Sequence, residues 1–174
     1  LWSAACILAL TMLGLFLLGW FMTTGGTRIP GGDFEVRYRA ALDWMAGRPI
    51  YERTAMAYAN PPFFVLPFIP LTVLPYRAAL LVWQVLSGLS YLCSIKLALG
   101  AVGWAPRGAS LSRLTILSCA ALPPVVCLLV GQHSTLVLLS LASAAWLLAR
   151  GKPGCAGVAL AGALIKPHFV VFPA

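Results

Sequence analysis

The sequence predicts an all-α membrane protein, a bundle of several helices that cross a bilayer. Hydrophobic residues make up 61% of the 174 positions and charged residues only 9%. Several apolar runs approach the length of about 20 residues that a helix needs to cross a hydrocarbon core about 30 Å thick. All four acidic residues lie within residues 33–52, between two apolar runs. Because ionised carboxylates are costly to remove from water, this segment is predicted to face water at the bilayer surface.

Residues 2–22 are predicted to form the first transmembrane helix, because no charged residue interrupts them. A secretory signal peptide is the alternative, but its apolar core would span only about 7 to 15 residues and follow a basic stretch. The chain begins at Leu1 and stops at Ala174 within another apolar run. We therefore expect residues 1–174 to be one membrane domain and the N-terminal part of a longer protein.

Residues 23–60 form a polar insertion that we interpret as an external loop. Within it, a short helix is predicted at about 33–46. Two glycines precede it, Asp33 can cap it, apolar residues recur at a spacing of three to four, and a Gly-x-Pro sequence at 47–49 ends it. The rest of its surface is polar, so the sequence predicts an amphipathic helix that lies on the membrane and exposes Arg37, Arg39, Asp43 and Trp44.

The next apolar segment, residues 61–76, contains five prolines. Proline removes backbone donors and kinks helices, so a broken or re-entrant helix is favoured over a short kinked span. Further membrane helices are predicted at 78–101, 114–130, 134–149 and 155–174. If 61–76 turns back, the basic loops near residues 107–113 and 150–152 become cytoplasmic, as the positive-inside rule requires. Gln132 and Lys166 then lie on the same side of the membrane as Asp33.

The net charge of +8 does not indicate a nucleic-acid surface, because the basic residues are scattered at the ends of apolar runs. There they serve as topology signals and headgroup anchors, so we expect membrane lipids and no nucleic acid among the partners. The five cysteines show no CxxC pair and no His or Asp partner at ligand spacing. Neither a zinc site nor a disulfide framework is predicted.

Several segments together resemble glycosyltransferase family 87. They are GGDFEVRYRAALDWMAGRPIY after the first span, NPPFFVLPFIPLTVLP, LVW at 81–83, GQ at 131–132 and ALIKP at 163–167. The resemblance implies a polyprenol-phosphate-mannose-dependent mannosyltransferase with a membrane-embedded fold of GT-C type. It also implies a multi-pass enzyme of the bacterial plasma membrane. Such an enzyme moves a hexose from a polyprenyl phosphate to a lipid or glycan hydroxyl on the external, periplasmic face, and needs no metal cofactor.

Asp33 is the candidate catalytic residue, and the resemblance assigns the role of general base to the same position. A carboxylate within hydrogen-bond reach can accept the proton of an attacking sugar hydroxyl while positive charge develops at the anomeric carbon. A helix cap is the structural alternative. Asp33 and Glu35 also form a DxD-like pair, but residues two apart on a helix point away from each other, so a divalent metal is not expected.

The candidate substrate-binding residues fall into two chemical groups. Arg37, Arg39 and Lys166 can bind the donor phosphate; the arginines have headgroup anchoring as their alternative, and Lys166 has snorkelling to the interface. The others are polar or aromatic: Gln132 for a sugar hydroxyl, His133 and His168 for proton transfer or, when charged, for phosphate, Asp43 for the acceptor or for an ion pair with Arg39, and Tyr51 for stacking.

Two other functions remain open from the sequence. A transporter or flippase for a lipid or small solute would use the same proline-broken helix and the same lysine at membrane depth, because transporters build sites from discontinuous helices. A non-catalytic membrane scaffold would leave the acidic segment as a solvated loop. Neutralising Asp33 would then leave function intact.

Overall fold

The computed structural model describes residues 31–51, 58, 60–104 and 108–166. Regular structure in these ranges consists of six α-helices and two 3₁₀ helices, with no strand. The predicted all-α class is therefore confirmed for the described residues. The predicted first span at 2–22 lies outside them, as does His168.

The first described helix, α1 (Gly32–Met45), begins one residue before the predicted start. Its N-cap is Gly31 in the left-handed conformation, and no side chain caps the helix. Cap formation by Asp33 was therefore a wrong prediction, because Asp33 is already the second residue of the helix. A carboxylate in the first turn still interacts favourably with the helix dipole.

Helix α1 packs against a 3₁₀ helix, η1 (Pro62–Val73), and the two share an aromatic core. The Phe34 ring centroid lies 6.0 Å from that of Phe68 and 6.1 Å from that of Trp83, and Phe68 and Trp83 lie 4.5 Å apart. Burying each such ring stabilises the fold by about 1.5–3 kcal/mol. This packing also buries Arg37 and Asp43, so the prediction that both lie on the exposed face of α1 was wrong.

The proline-rich segment forms one continuous 3₁₀ helix rather than an α-helix. Pro67 and Pro70 stand inside it and cannot donate backbone hydrogen bonds. The chain then becomes extended at Leu74, whose carbonyl accepts a 2.8 Å hydrogen bond from the Tyr38 hydroxyl. Re-entry of this segment into the bilayer stays a prediction.

The apolar part of the chain follows as four helical segments. Helix α2 (Tyr76–Ala101) comes first; α3 (Ala109–Ala120) and α4 (Leu122–Val130) form a pair bent by 57°; α5 (Ser134–Ala149) is the third; α6 (Pro153–Ala161) continues into η2 (Gly162–Ile165). Among the described residues, only α2 is by itself long and apolar enough to cross a membrane, and the bent pair meets the same criteria when taken as one span.

Contacts between these helices give their directions. Near the start of α2, the Trp83 indole donates to the carbonyl of Gly131, just before α5, over 3.0 Å. Near its end, Gly100 lies against Trp146 late in α5. Helices α2 and α5 are therefore parallel. The α3–α4 pair runs antiparallel to α2, and the α6–η2 segment runs antiparallel to α5. One end of the bundle gathers α1, the start of α2, the end of α4, the start of α5 and the end of η2.

Candidate functional site

The turn between α4 and α5, residues 131–134, packs directly against the start of α1. Gly131 has φ 71, and a Cβ placed there would lie 2.6 Å from the Phe34 Cβ and 3.3 Å from the Phe34 backbone nitrogen. Only glycine permits this approach. The hydrogen bond from Trp83 holds the same turn against α2. The predicted residues Gln132 and His133 thus follow a glycine that contacts Phe34, the residue after Asp33.

Asp33 is half-buried in the first turn of α1 and lies near two cations. Its carboxylate interacts electrostatically with Arg37 and with Lys166. Arg37, one helical turn later, donates a hydrogen bond to the backbone carbonyl of Asp33. The structure therefore groups the predicted base with two of the three predicted phosphate-binding cations.

Arg37 lies inside this group and not on the membrane-facing surface, since only 6% of the residue is exposed. Burial lowers the pKa of Arg37, while Asp33 and Tyr58 act in the opposite direction. An arginine stays protonated even so, because its ordinary pKa is above 12. Its Nε atom has no hydrogen-bond partner among the described residues. Arg37 is thus a buried cation whose Nε donor is free, within the described part of the chain, to bind a ligand. Because the side chain is buried, the prediction that Arg37 anchors to lipid headgroups was wrong.

His133 is the most buried polar side chain of the turn, with 2% exposure and its ring centroid 4.8 Å from that of Phe64. Burial, together with the charges of Arg37 and Lys166, lowers the pKa of His133 to about 3. The imidazole is therefore neutral at physiological pH. The predicted role of His133 in proton transfer or, when charged, in phosphate binding stays a prediction. Neither ring nitrogen has a partner among the described residues.

Lys166 follows η2 and returns to the same turn. Its ammonium donates a 2.7 Å hydrogen bond to the Ser134 hydroxyl, which in turn lies 3.2 Å from the Gln132 side-chain oxygen. The charges of Arg37 and Asp33 both act on the Lys166 ammonium. The lysine is therefore held by protein groups beside the candidate base. We refer to Asp33, Arg37, Gln132, His133, Ser134 and Lys166 as the polar cluster.

Sequence reasoning missed Ser134. It follows the GQH segment directly, but its contact with Lys166 joins residues 32 positions apart. A hydroxyl next to a glycine turn gives no sign of such a partner in the sequence.

The three other described candidates make separate local contacts. Arg39 is exposed and forms a 2.6 Å ion pair with Glu35. Asp43 lies about 15 Å further along α1 than Asp33 and pairs with Arg48 at 2.8 Å, so its predicted pairing with Arg39 was wrong. The Tyr51 hydroxyl donates to the Asn60 carbonyl over 3.2 Å. Their roles in substrate binding stay predictions.

The polar cluster contains the parts of a group-transfer site: a carboxylate, two cations and neutral hydrogen-bonding groups, set against an aromatic wall. Within the described ranges, no three His, Cys, Asp or Glu side chains lie close enough together to hold a metal ion.

Comparison with known proteins assigns this chain to a family. Residues 58–174 match glycosyltransferase family 87, whereas no curated protein and no solved structure shows a significant match. The match includes Gln132, His133 and Lys166, and it begins after α1, the helix that carries Asp33. Because the match covers most of the chain, this protein belongs to glycosyltransferase family 87 and is a glycosyltransferase.

Proposed function

We propose that this chain is part of an enzyme that transfers a hexose, mannose in the first instance, from a polyprenyl-phosphate sugar to a lipid or glycan hydroxyl. We place the reaction on the external, periplasmic face of a bacterial plasma membrane, within a multi-pass bundle of GT-C type. Family membership supports glycosyl transfer. The lipid-linked donor and the external face are the more specific parts of the proposal.

One observation carries the proposal. Asp33 and Arg37, both on α1, lie near Lys166, which comes from a distant part of the chain, at one end of the bundle. In the proposed reaction, the acceptor oxygen bonds to the anomeric carbon while the bond from that carbon to the phosphate oxygen breaks. The electron pair goes to the phosphate, and the hydroxyl proton goes to the Asp33 carboxylate. The Asp33 carboxylate, half-buried near Arg37 and Lys166, is the group placed to accept this proton.

Arg37 and Lys166 act on the leaving phosphate. Their positive charges stabilise the negative charge that grows on the phosphate oxygen, and burial strengthens this interaction relative to water. Arg37 contributes a planar guanidinium with an unused Nε donor. Lys166, fixed by Ser134, contributes a point charge. Two protein cations thus take the part of a metal ion, so we expect chelation of divalent metals to leave transfer unchanged.

The remaining candidates have peripheral roles in this scheme. Gln132 hydrogen-bonds the sugar. Arg39, Asp43 and Tyr51 lie along α1 and the loop after it, where they contact the acceptor or the lipid headgroups, and His168 is proposed to assist near Lys166.

The test is transfer of radiolabelled mannose from polyprenyl-phosphate-mannose in membranes that contain the full-length protein. Asp33→Asn removes the base and keeps the size of the side chain, so transfer is expected to fall by about 10²–10⁴-fold. Glu35→Gln is the matched control, because Glu35 lies on the same helical turn and pairs with an exposed arginine. If both variants retain wild-type transfer, Asp33 is not the base. If the wild type transfers no label but moves the intact lipid across the bilayer, the transporter alternative replaces the proposal.

A further inference from the structure

The ring nitrogens of His133 raise a question that phosphate binding does not answer. Both Nδ1 and Nε2 are buried, and neither has a hydrogen-bond partner among the described residues. A buried polar atom without a partner costs about 1–3 kcal/mol, so such atoms are generally satisfied by water or by a ligand. The Nε atom of Arg37 also lacks a partner among the described residues. Both side chains lie near the Phe64 ring, whose centroid is 6.0 Å from the Arg37 Cζ atom and 4.8 Å from the His133 ring centroid.

The chemistry of a neutral imidazole restricts what can satisfy it. One nitrogen carries a proton and donates, and the other accepts. A phosphate ester offers only acceptor oxygens, so it can satisfy the donor and not the acceptor. A sugar hydroxyl both donates and accepts, so it can satisfy the accepting nitrogen as well as the donating one. An ordered water at that nitrogen would serve in the empty protein and would be replaced by the hydroxyl.

Arg37 has the complementary preference. A guanidinium donates only, so its unpartnered Nε suits an anionic oxygen and not a hydroxyl that must also donate. In a sugar phosphate, the anion and the hydroxyl-bearing ring are joined through a single oxygen. A cation and a neutral imidazole that share Phe64 as neighbour match that arrangement of charge and polarity.

We propose that His133 binds the hexose ring of the donor through a hydroxyl group, while Arg37 binds the phosphate that carries it. This inference rests on the proposed function and adds a division of labour: His133 recognises the sugar and Arg37 the lipid phosphate. The protein should then prefer the mannosylated lipid, because polyprenyl phosphate without its sugar offers His133 no sugar hydroxyl.

The test compares the binding of two lipids, polyprenyl phosphate and polyprenyl-phosphate-mannose, to the full-length protein in nanodiscs. The wild type is expected to bind the mannosylated lipid at least about tenfold more tightly, the ratio that corresponds to 1.4 kcal/mol. His133→Leu should bring this ratio close to one without weakening the binding of polyprenyl phosphate. His133→Gln, whose amide both donates and accepts, should retain part of the preference. Arg37→Gln should weaken the binding of both lipids.

Thr135→Val is the matched control, because Thr135 is also buried with an unpartnered oxygen and lies two residues from His133. It should leave the ratio unchanged. The inference is overturned if His133→Leu keeps the wild-type ratio, or if the wild type binds both lipids equally. If the ratio behaves as expected but no mannose is transferred, sugar recognition by His133 stands and the proposed transfer reaction fails.

Discussion

At the scale of single residues, the polar cluster is built at a cost to stability. His133 is buried as deeply as the neighbouring Phe64, although its two nitrogens lack partners among the described residues. Replacing an unsatisfied polar group by an apolar one of similar size is often neutral or stabilising. An apolar residue in place of His133 would thus leave the protein as stable or more stable but reduce its activity, as is expected for a residue that serves a site rather than the fold.

His133 should make the stability of the protein depend on pH below neutrality. Its pKa is about 3 in the folded protein and about 6.5 when unfolded, so the unfolded chain takes up the proton first. The free energy of unfolding therefore falls as pH drops from about 6.5 towards 3, by up to about 2 kcal/mol at pH 5. His133→Leu should remove this loss.

Thermal unfolding in detergent at pH 7 and pH 5 measures the effect as the difference between wild type and variant. Taking the difference between wild type and variant removes the contribution of the titratable groups that the two proteins share. Equal pH dependence in the two proteins would mean that the imidazole is solvated and not buried.

Lys166 gives a second prediction at this scale. Lys166→Met keeps the length of the side chain and removes its charge, so the kcat/KM of mannose transfer should fall by about 10²–10³-fold, as when one transition-state donor is lost. Lys152→Met is the control, because Lys152 is exposed at the other end of the bundle. Equal activity of the two variants would exclude Lys166 from the phosphate site.

The sequence allowed individual chemical groups to be predicted better than their surroundings. Asp33 and Lys166 could be identified because a charged group next to a long apolar run is costly to remove from water and therefore indicates a function. The burial of Arg37 was not, because the aromatic surface that covers it comes from residues 64–68, in a different element. The protonation state of His133 depends on cations from both α1 and the segment after η2, and no local pattern reports them.

At the scale of elements, the turn at residues 131–134 joins the helix that carries Asp33 to the rest of the cluster. Gly131 contacts Phe34, and Trp83 donates to the Gly131 carbonyl. The lengths of the apolar runs and the positions of glycine and proline predicted where most helices occur. The close approach of this turn to α1 could not be predicted, since it depends on the absence of a Cβ atom at Gly131.

Gly131→Ala should therefore damage the site as well as the fold. The left-handed backbone costs an alanine about 1–2 kcal/mol, and the new methyl group would also clash with Phe34. Gly151→Ala is a matched control, because Gly151 has nearly the same φ, 69 against 71, and open space around it. The unfolding temperature and the rate of mannose transfer should both fall more in Gly131→Ala than in Gly151→Ala. Equal losses would show that the approach to α1 does not matter.

At the scale of the whole molecule, charge is divided between the two ends of the bundle. The acidic residues of the described chain, Asp33, Glu35 and Asp43, all lie on α1 at the end that holds the polar cluster. At the other end, the turn after α5 carries Arg150, which lies 4.0 Å from the Trp146 ring centroid, and Lys152. Helix α2, about 39 Å long for its 26 residues, connects the two ends and exceeds the thickness of a hydrocarbon core.

This division predicts the orientation of the protein in the membrane. Basic turns are retained on the cytoplasmic side, so reporter fusions at Gly108 and at Lys152 should both score as cytoplasmic. A fusion at Gly47, in the exposed turn after α1, should score as external and so place the polar cluster where a lipid-linked donor would be presented. External scores at both Gly108 and Lys152 would contradict this orientation, and with it the proposed external reaction. Adding positive charge near Gly47 should weaken the orientational preference, because the difference in basic residues between the two ends determines it.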